Sequence, residues 1–485
     1  MPDKEHILVK KYLQEHSLVE SNIISFNDFI ENKMQQIVND VSKSLPLEDI
    51  RIELGKIIVG KPNIIEADGS RRDIMPTETR LRNLTYSAPV SLEINVKREG
   101  GSEHNVVEMG RIPIMVKSKY CHLSGMSKDE LIKNNIDAAD PGGYFIINGN
   151  ERVLVMIEDL APNQPFIEEG AKGINLRLFS LRGAYRIPTI IGESSDGILE
   201  VSFSRFKNIP AIPLIKSLGI AKDSEIASLI GKECDTLIVN LYEYVSLQTV
   251  HDALMFIAEK SGIQGTKKEI QDKIKSRIDS YLLPHIGLKE EDRFKKAINL
   301  CKLIKHFLIV SKDKKKLTDK DHYSNKRIKL SGDLLSDLFR VNITVFIRDI
   351  QHSLQRLSKR KKFYSIKALA KSTLFSHRIE SAIATGTWIG ERTGVTQNMD
   401  KTNYLAIISL LQRVISLLPS EQENFKARTL HPTHYGRFCP IETPEGTPIG
   451  LRKNLSLLSK ISTAAHLDEE KFMNLLEEQG MKGYK

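Results

Sequence analysis

The sequence predicts a multidomain α+β fold, and three observations carry that expectation. Its 485 residues exceed what one hydrophobic core supports, so two to four domains are expected. Apolar residues at 40% and charged residues at 27% suit a folded globular chain rather than a disordered one. Strand-like alternation and helix-like periodicity occur in separate blocks, the grouping of mixed helices and β-sheets.

Taken in order, the first 50 residues read as helical, and strands follow from Arg51 to Val116. Val90, Leu92, Ile94 and Val96 alternate with Ser91, Glu93, Asn95 and Lys97, the period of a half-buried strand. Gly100-Gly101-Ser102 supplies a turn before a second run through Ile112, Ile114 and Val116. A third run, Tyr144-Phe145-Ile146-Ile147, ends at Asn148-Gly149, a pair that tolerates positive φ and so marks a hairpin. Its return strand is Val153-Leu154-Val155-Met156. Residues 171–322 read as a separate unit, with strands first and helices from Ala211 onward. Leu334, Leu338, Val341 and Val345 then form a helical stripe with Asp333 as its N-cap. A buried, nearly all-apolar helix is expected over 401–418, stopped by Pro419. The stretch 427–461 is a Pro- and Gly-rich packed region, and a last helix over 468–479 ends at Gly480.

The charge is uneven. Lys and Arg number 71 against 61 Asp and Glu, a net +10. Counting along 311–330, 331–350 and 351–378 gives +5, −1 and +8, so this seventh of the chain holds +12. Lys314-Lys315-Lys316, Lys326-Arg327 and Lys359-Arg360-Lys361-Lys362 could face a polyanion or form a solvated surface. No run approaches eighteen apolar residues, and the start, MPDKEHILVKKYL, has no signal-peptide pattern. Cys121, Cys234, Cys301 and Cys439 are far apart with no CxxC, against a zinc ribbon or a disulfide scaffold. A reduced, cytoplasmic protein with no membrane association is expected.

Several local motifs have a sharp and a bland reading. Gly55 to Lys61 satisfies GxxxxGK, but Pro62 stands where a P-loop needs Ser or Thr, and the surroundings predict strands. His431, His434 and Cys439 offer three metal ligands without a fourth at suitable spacing, so hydrogen bonding inside a rigid loop is expected instead. Glu442 and Glu445 suit acid–base work in principle. Fixing the loop is the reading preferred for Glu442, while Glu445 stays open. No GxSxG, HExxH, GxGxxG or DxDxD-like cluster occurs. By chemistry alone this is a basic scaffold without a reaction centre.

Arg428-Thr429-Leu430-His431-Pro432-Thr433-His434-Tyr435-Gly436-Arg437-Phe438-Cys439-Pro440-Ile441-Glu442-Thr443-Pro444-Glu445-Gly446, followed by Gly450-Leu451-Arg452-Lys453-Asn454-Leu455-Ser456, resembles the fork region of the second-largest subunit of multisubunit DNA-directed RNA polymerases. Gly143-Tyr144-Phe145-Ile146-Ile147-Asn148-Gly149-Asn150-Glu151-Arg152-Val153-Leu154, Arg80-Leu81-Arg82-Asn83-Leu84-Thr85-Tyr86 and Asp321-His322-Tyr323-Ser324-Asn325-Lys326-Arg327 resemble the family's protrusion, its early strands and its return from the lobe. Essentially the whole chain is covered. Departures are Ser409-Leu410-Leu411-Gln412-Arg413 in place of Ser-His-Leu-Arg-Arg, a missing basic residue in 419–426, and Ser324 in place of glycine.

The resemblance implies a first part of the protrusion over 1–170, an inserted lobe over 171–322, the second part of the protrusion over 323–376, and the fork with the start of the hybrid-binding part over 377–485. It implies the N-terminal piece of a subunit that some archaea make as two chains. Its partners would be the C-terminal half, the largest subunit, the other polymerase subunits, the DNA template and the RNA–DNA hybrid. The catalytic Mg2+ would belong to the largest subunit, with no cofactor and no catalytic residue on this chain. Gln397, Asp400, Arg413, Arg428, Arg437 and Glu445 are the expected hybrid or fork contacts, and Lys326, Arg327, Lys359, Arg360, Lys361 and Lys362 the DNA-backbone candidates. The rival readings are a stand-alone nucleic-acid-binding protein reusing this scaffold and a hydrolase built on His434 and Glu445.

Overall fold

The structure, a computed structural model, describes residues 4–44, 51–98, 101–170, 173–183, 185–231, 235–263, 265–313, 317–359, 365–390, 392–421, 423–462 and 469–481. Cys234, Lys314 to Lys316, Arg360 to Lys362 and Asp468 lie outside these, as does Gly100 of the expected turn. The chain forms two units, Met1–Glu158 with Ile328–Lys485, and Asp159–Arg327.

The first unit opens with helices α1 (Lys4–Glu15), α2 (Glu20–Asp28) and α3 (Met34–Ser44), the last two joined by a π-turn over Phe29–Lys33. Strands β1 (Arg51–Val59), β2 (Asn63–Ile65) and β3 (Arg71–Asp73) lead through α4 (Pro76–Leu81) to β4 (Ser87–Arg98) and β5 (Gly101–Pro113). β4 lies between β1 and β5, antiparallel to both. Its Ala88, Val90, Leu92, Ile94 and Val96 are all fully buried, so the alternation in sequence is the pleat itself. The GxxxxGK stretch begins inside β1, with Gly55 beside Glu93 of the neighbouring strand. β5 ends at Pro113, so Ile114 and Val116 are buried beyond the strand rather than within it. After α5 (Lys128–Lys133), strands β6 (Phe145–Ile147) and β7 (Asn150–Leu154) form the expected hairpin. The return strand starts at Asn150 and ends at Leu154 rather than running from Val153 to Met156, which opens a strand of another sheet. Asn148 and Gly149 both take positive φ, at 49° and 74°, as a two-residue hairpin turn requires. β8 (Met156–Leu160) leads out of this unit.

The second unit is a five-stranded antiparallel meander, β9 (Pro165–Gly170), β10 (Gly173–Arg182), β11 (Tyr185–Glu193), β12 (Leu199–Phe203) and β13 (Phe206–Pro210). Helices α6 (Ala211–Ser217), α7 (Asp223–Ile230), α8 (Asp235–Glu243), α9 (Val250–Lys260), α10 (Lys267–Tyr281) and α11 (Arg293–Ser311) follow. Leu176, Leu178, Ile191, Val201 and Phe203 on the sheet share one core with Ile212, Ile215, Leu300 and Ile304. β14 (Lys326–Lys329) then returns the chain to the first unit.

There α12 (Ser331–Lys359) is the longest helix, followed by α13 (Ile366–Leu369) and α14 (Ser372–Thr385). The buried face of α12 runs through Leu334, Leu338, Phe339, Ile343, Phe346, Ile347 and Ile350. Val341 and Val345 are only partly buried, because they share the face of Leu334 and Leu338, whereas beyond Phe339 the core packs on the opposite face through Ile343, Phe346, Ile347 and Ile350. Asp333 is not the N-cap, since the helix starts at Ser331. Its carboxylate reaches back to the Leu330 backbone N–H at 3.1 Å and pairs with Lys33 at 2.7 Å.

The larger correction falls at 401–418. After β15 (Thr396–Asn398), helix α15 covers only Tyr404–Leu411. Asn403 caps it by accepting from the Ala406 N–H at 2.8 Å. Arg413–Ser416 are then strand β16, parallel to β8 and antiparallel to β17 (Arg452–Asn454) beyond α16 (Phe425–Arg428). β-branched Val414 and Ile415 gain two strand partners there, which outweigh their helical context. The helix is not buried all round either, since Leu405 is 77% exposed. Helix α17 (Glu469–Glu478) ends the described chain, with Gly480 at φ 87° closing it.

Candidate nucleic-acid interface

The chain beyond α14 is built from short elements and anchored turns. Gly386 ends α14 in the left-handed conformation at φ 76°, and a Cβ there would lie 2.9 Å from the Thr396 carbonyl oxygen. Thr396 in turn pairs with Leu154 of β7, and half-buried Gln397 pairs with Val153. Asp400 follows in an exposed turn. Its carboxylate accepts from the Thr402 hydroxyl at 2.7 Å and the Thr402 N–H at 3.0 Å, and these bonds hold its pKa below the usual carboxylate value.

Arg413 opens β16 opposite Asn454, two positions from the pairing of Ile415 with Arg452. Burial lowers its pKa, Arg452 pushes the same way, and Glu442 and Asp400 oppose them. A guanidinium remains charged through such a shift. Glu442 accepts from the Ser409 hydroxyl at 2.7 Å and from the Asn454 amide, which also reaches Ser409 at 2.9 Å. These bonds tie the loop to α15 and β17, the loop-fixing role preferred for Glu442.

Arg428 donates to the carbonyls of Thr447 at 2.5 Å, Ser420 at 2.7 Å and Ile449 at 3.1 Å. Arg437 is exposed and donates to the Thr433 carbonyl at 3.0 Å. Glu445 sits exposed between Pro444 and Gly446, the latter at φ 77°. His431 engages Thr433 through its ring, and the buried His434 ring meets Phe438 edge-on at 5.7 Å. The two histidines thus shape a turn. Among the described residues no group of three or more His, Cys, Asp or Glu is placed to hold a metal ion.

The residues expected from sequence therefore do not form one cluster. Asp400 and Arg413 share a charged group with Glu442 and Arg452, while Arg428, at the end of α16, donates to carbonyls just beyond Glu445 in the chain. Gln397 stands on a different sheet. Of the basic candidates, Lys326 is half-buried and lies 3.3 Å from Asp321, with its ammonium 5.9 Å from the Tyr323 ring centre. Arg327 donates to the Ser324 and Lys326 carbonyls at 2.8 Å. The backbone of Lys359 ends α12, and the cluster beyond it is outside the described residues.

Two polar groups escaped sequence reasoning. Lys453 lies buried with both Glu158 carboxylate oxygens at 2.9 Å, an ion pair joining β17 to β8. Arg80 binds Glu151 at 2.6 Å, and Lys401 holds the second Glu151 oxygen at 2.7 Å. Arg80, Glu151 and Lys453 all lie within the family-like motif strings, the one signal that pointed to them. Two of the departures have local packing roles, since Leu410 is buried in the main core and the Gln412 amide donates to the Leu18 carbonyl at 3.4 Å.

Comparison with known proteins follows the same ground. The family described as RNA polymerase beta subunit matches residues 17–377, and RNA polymerase Rpb2, domain 3, matches residues 397–461. The chain is 39% identical over 496 residues to DNA-directed RNA polymerase subunit Rpo2N of Methanothermobacter thermautotrophicus, covering 95% of each. Against Rpo2N of Methanocaldococcus jannaschii it is 39% identical over 491 residues, covering 98% of each. Against Rpo2 of Saccharolobus solfataricus it is 40% identical over 490 residues, which is 99% of this chain and 43% of that protein. The chain thus spans less than half of the longer relatives and nearly all of the shorter ones. On the extent and identity of these matches, the chain belongs to the RNA polymerase beta subunit (Rpb2) family.

Proposed function

We propose that the chain is a structural subunit of a DNA-dependent RNA polymerase and works with a separate polypeptide carrying the rest of the second-largest subunit. The observation that carries this is the 39% identity over 95% of both chains to a protein named Rpo2N. On this reading, residues 1–170 and 323–376 are the protrusion, the inserted residues 171–322 are the lobe, and 377–485 are the fork with the start of the hybrid-binding part. Protrusion and lobe form one wall of the DNA channel, and the fork stands beside the RNA–DNA hybrid. Gln397, Asp400, Arg413, Arg428, Arg437 and Glu445 are its hybrid or fork contacts. The working compartment is the cytoplasm.

RNA synthesis is phosphoryl transfer, to which a protein contributes positioning and charge around metal ions. The donor set among the described residues does not fit a metal, and the role assigned to this chain runs through none. Magnesium is assigned to the largest subunit of the assembled enzyme. This chain supplies anchored loops and a fixed pattern of cations along the nucleic acid.

Co-expression tests the proposal. The chain should copurify with the complementary half and the largest subunit, and the assembly should extend RNA on a template. The purified chain alone should incorporate no nucleotide with magnesium present. Template-directed synthesis by the single chain, or an assembly that forms and never extends RNA, would overturn it.

A further inference from the structure

We propose that Arg428 is a positioning residue, acting on nucleotide addition by holding the 444–446 loop tip rather than by touching nucleic acid. The inference rests on the polymerase reading above and assigns a role within it. Three donations of the guanidinium go to main-chain carbonyls, from Nη2 to Ser420 and from Nη1 to Thr447 and Ile449. A planar fork of donors suits this, because three carbonyls can be met at fixed angles at once. The backbone packs as closely as the side chain. A Cβ at Gly450, where φ is 72°, would lie 2.1 Å from the Arg428 carbonyl oxygen and 2.6 Å from its Cα. Residues 447–450 are therefore seated on Arg428 twice over.

The other leg of the loop is anchored separately. Glu442 is bonded to Ser409 and Asn454, and the Thr443 hydroxyl donates to the Arg452 carbonyl at 3.0 Å and accepts from the Gly450 N–H at 2.9 Å. Between the two legs stands an exposed tip carrying Glu445. A carboxylate presented from a clamped tip loses little freedom on engaging a partner, and a misplacement of about 1 Å can cost up to about 100-fold in rate. Removing the clamp should act through Glu445.

The test uses the reconstituted polymerase on a DNA–RNA scaffold and measures the rate of single-nucleotide addition. Wild type, Arg428→Met, Arg428→Lys, Glu445→Gln and the two double variants are compared, together with the salt dependence of scaffold binding. Arg428→Met should slow addition by about tenfold. Lysine, whose three donors sit on one nitrogen and cannot span the carbonyls as a planar fork does, should not restore the rate. In the Glu445→Gln background the same changes should cost less than about twofold, since coupled residues are non-additive. The slope of log K against log salt should stay unchanged. Additive losses would overturn the proposal, as would full activity of Arg428→Lys with a slope flattened by about one in Arg428→Met, the sign of a direct phosphate contact. A Glu445→Gln enzyme as fast as wild type would also overturn it. Should Arg428→Met fail to assemble, Arg428→Lys and its double variant decide the same question. Inactivity of the wild-type assembly would instead count against the polymerase reading itself.

Discussion

Lys296 is a buried cation held by main-chain carbonyls. In the second unit its ammonium meets the Asp279 carbonyl at 2.7 Å and the Ile278 carbonyl at 3.4 Å, at the C-terminal end of α10. The helix dipole and these carbonyls favour the charge, yet burial dominates and brings its pKa down from 10.5 to about 8. Between pH 8 and 10.5 the unfolded chain therefore binds the proton more tightly than the folded one. Stability from this group rises with pH across that window and is lost as pH falls through about 8. Relative to Lys296→Met, the wild type should gain at most about 1.4 kcal/mol per pH unit there. Urea melts of both proteins at about pH 7.5 and about pH 9.5 check this, and a constant difference would refute it. Nothing in the sequence around Lys296 distinguishes it from the lysines beside it, because burial is decided by how α10 and α11 meet. Lys326 illustrates the converse. Its place in a basic cluster is visible in sequence, but the Asp321 that engages it is only visible as a contact.

Elements were legible where one periodicity governed them. The alternation through β4, the Asn-Gly hairpin and the switch to helices at Ala211 all reappear in the structure. They failed to be legible where a long-range partner overrode the local pattern. The apolar run 401–418 has no break that marks Gln412, and only the pairing of Val414 and Ile415 with β8 and β17 turns its second half into a strand. A close approach near the start of α12 was equally hidden. A Cβ on Gly332 would lie 2.0 Å from the Ser25 carbonyl oxygen of α2, and the Gly332 N–H reaches the Ser25 hydroxyl at 3.2 Å. Two effects compete in Gly332→Ala. Helix propensity favours alanine by about 1 kcal/mol, while overpacking against backbone costs about 1–3 kcal/mol. The oxygen cannot swing aside as a side chain would, so overpacking wins. Gly332→Ala should lower the denaturation midpoint, and a raised midpoint would show that α2 and α12 can separate at little cost.

For the whole molecule, charge and exposed apolar surface point to different faces of function. If the 359–362 cluster meets DNA, changing Lys359, Arg360, Lys361 and Lys362 to Ala should flatten the log K against log salt slope of the assembled enzyme, by about 0.9 per phosphate released. Changing Lys326 should leave that slope alone, since Asp321 already engages it; equal effects would contradict the distinction. The apolar surface leads to the second expectation. Leu405, Phe425 and Ile441 are 77%, 80% and 85% exposed, and Tyr435, Leu457 and Leu458 are exposed beside them in sequence. Burying each such side chain is worth about 1.5–3 kcal/mol. On the polymerase reading the complementary half covers them. α14, by contrast, is already packed into the first unit through Phe375, Ile379 and Ile383, with the Ser376 hydroxyl accepting from the Arg111 N–H at 2.8 Å. Hydrogen exchange measured with and without the complementary half should therefore show new protection across 404–458 and none in α14. Protection that rises equally in both would mean that the half stabilises the fold globally, and protection that rises in neither would remove the apolar surface as its docking face.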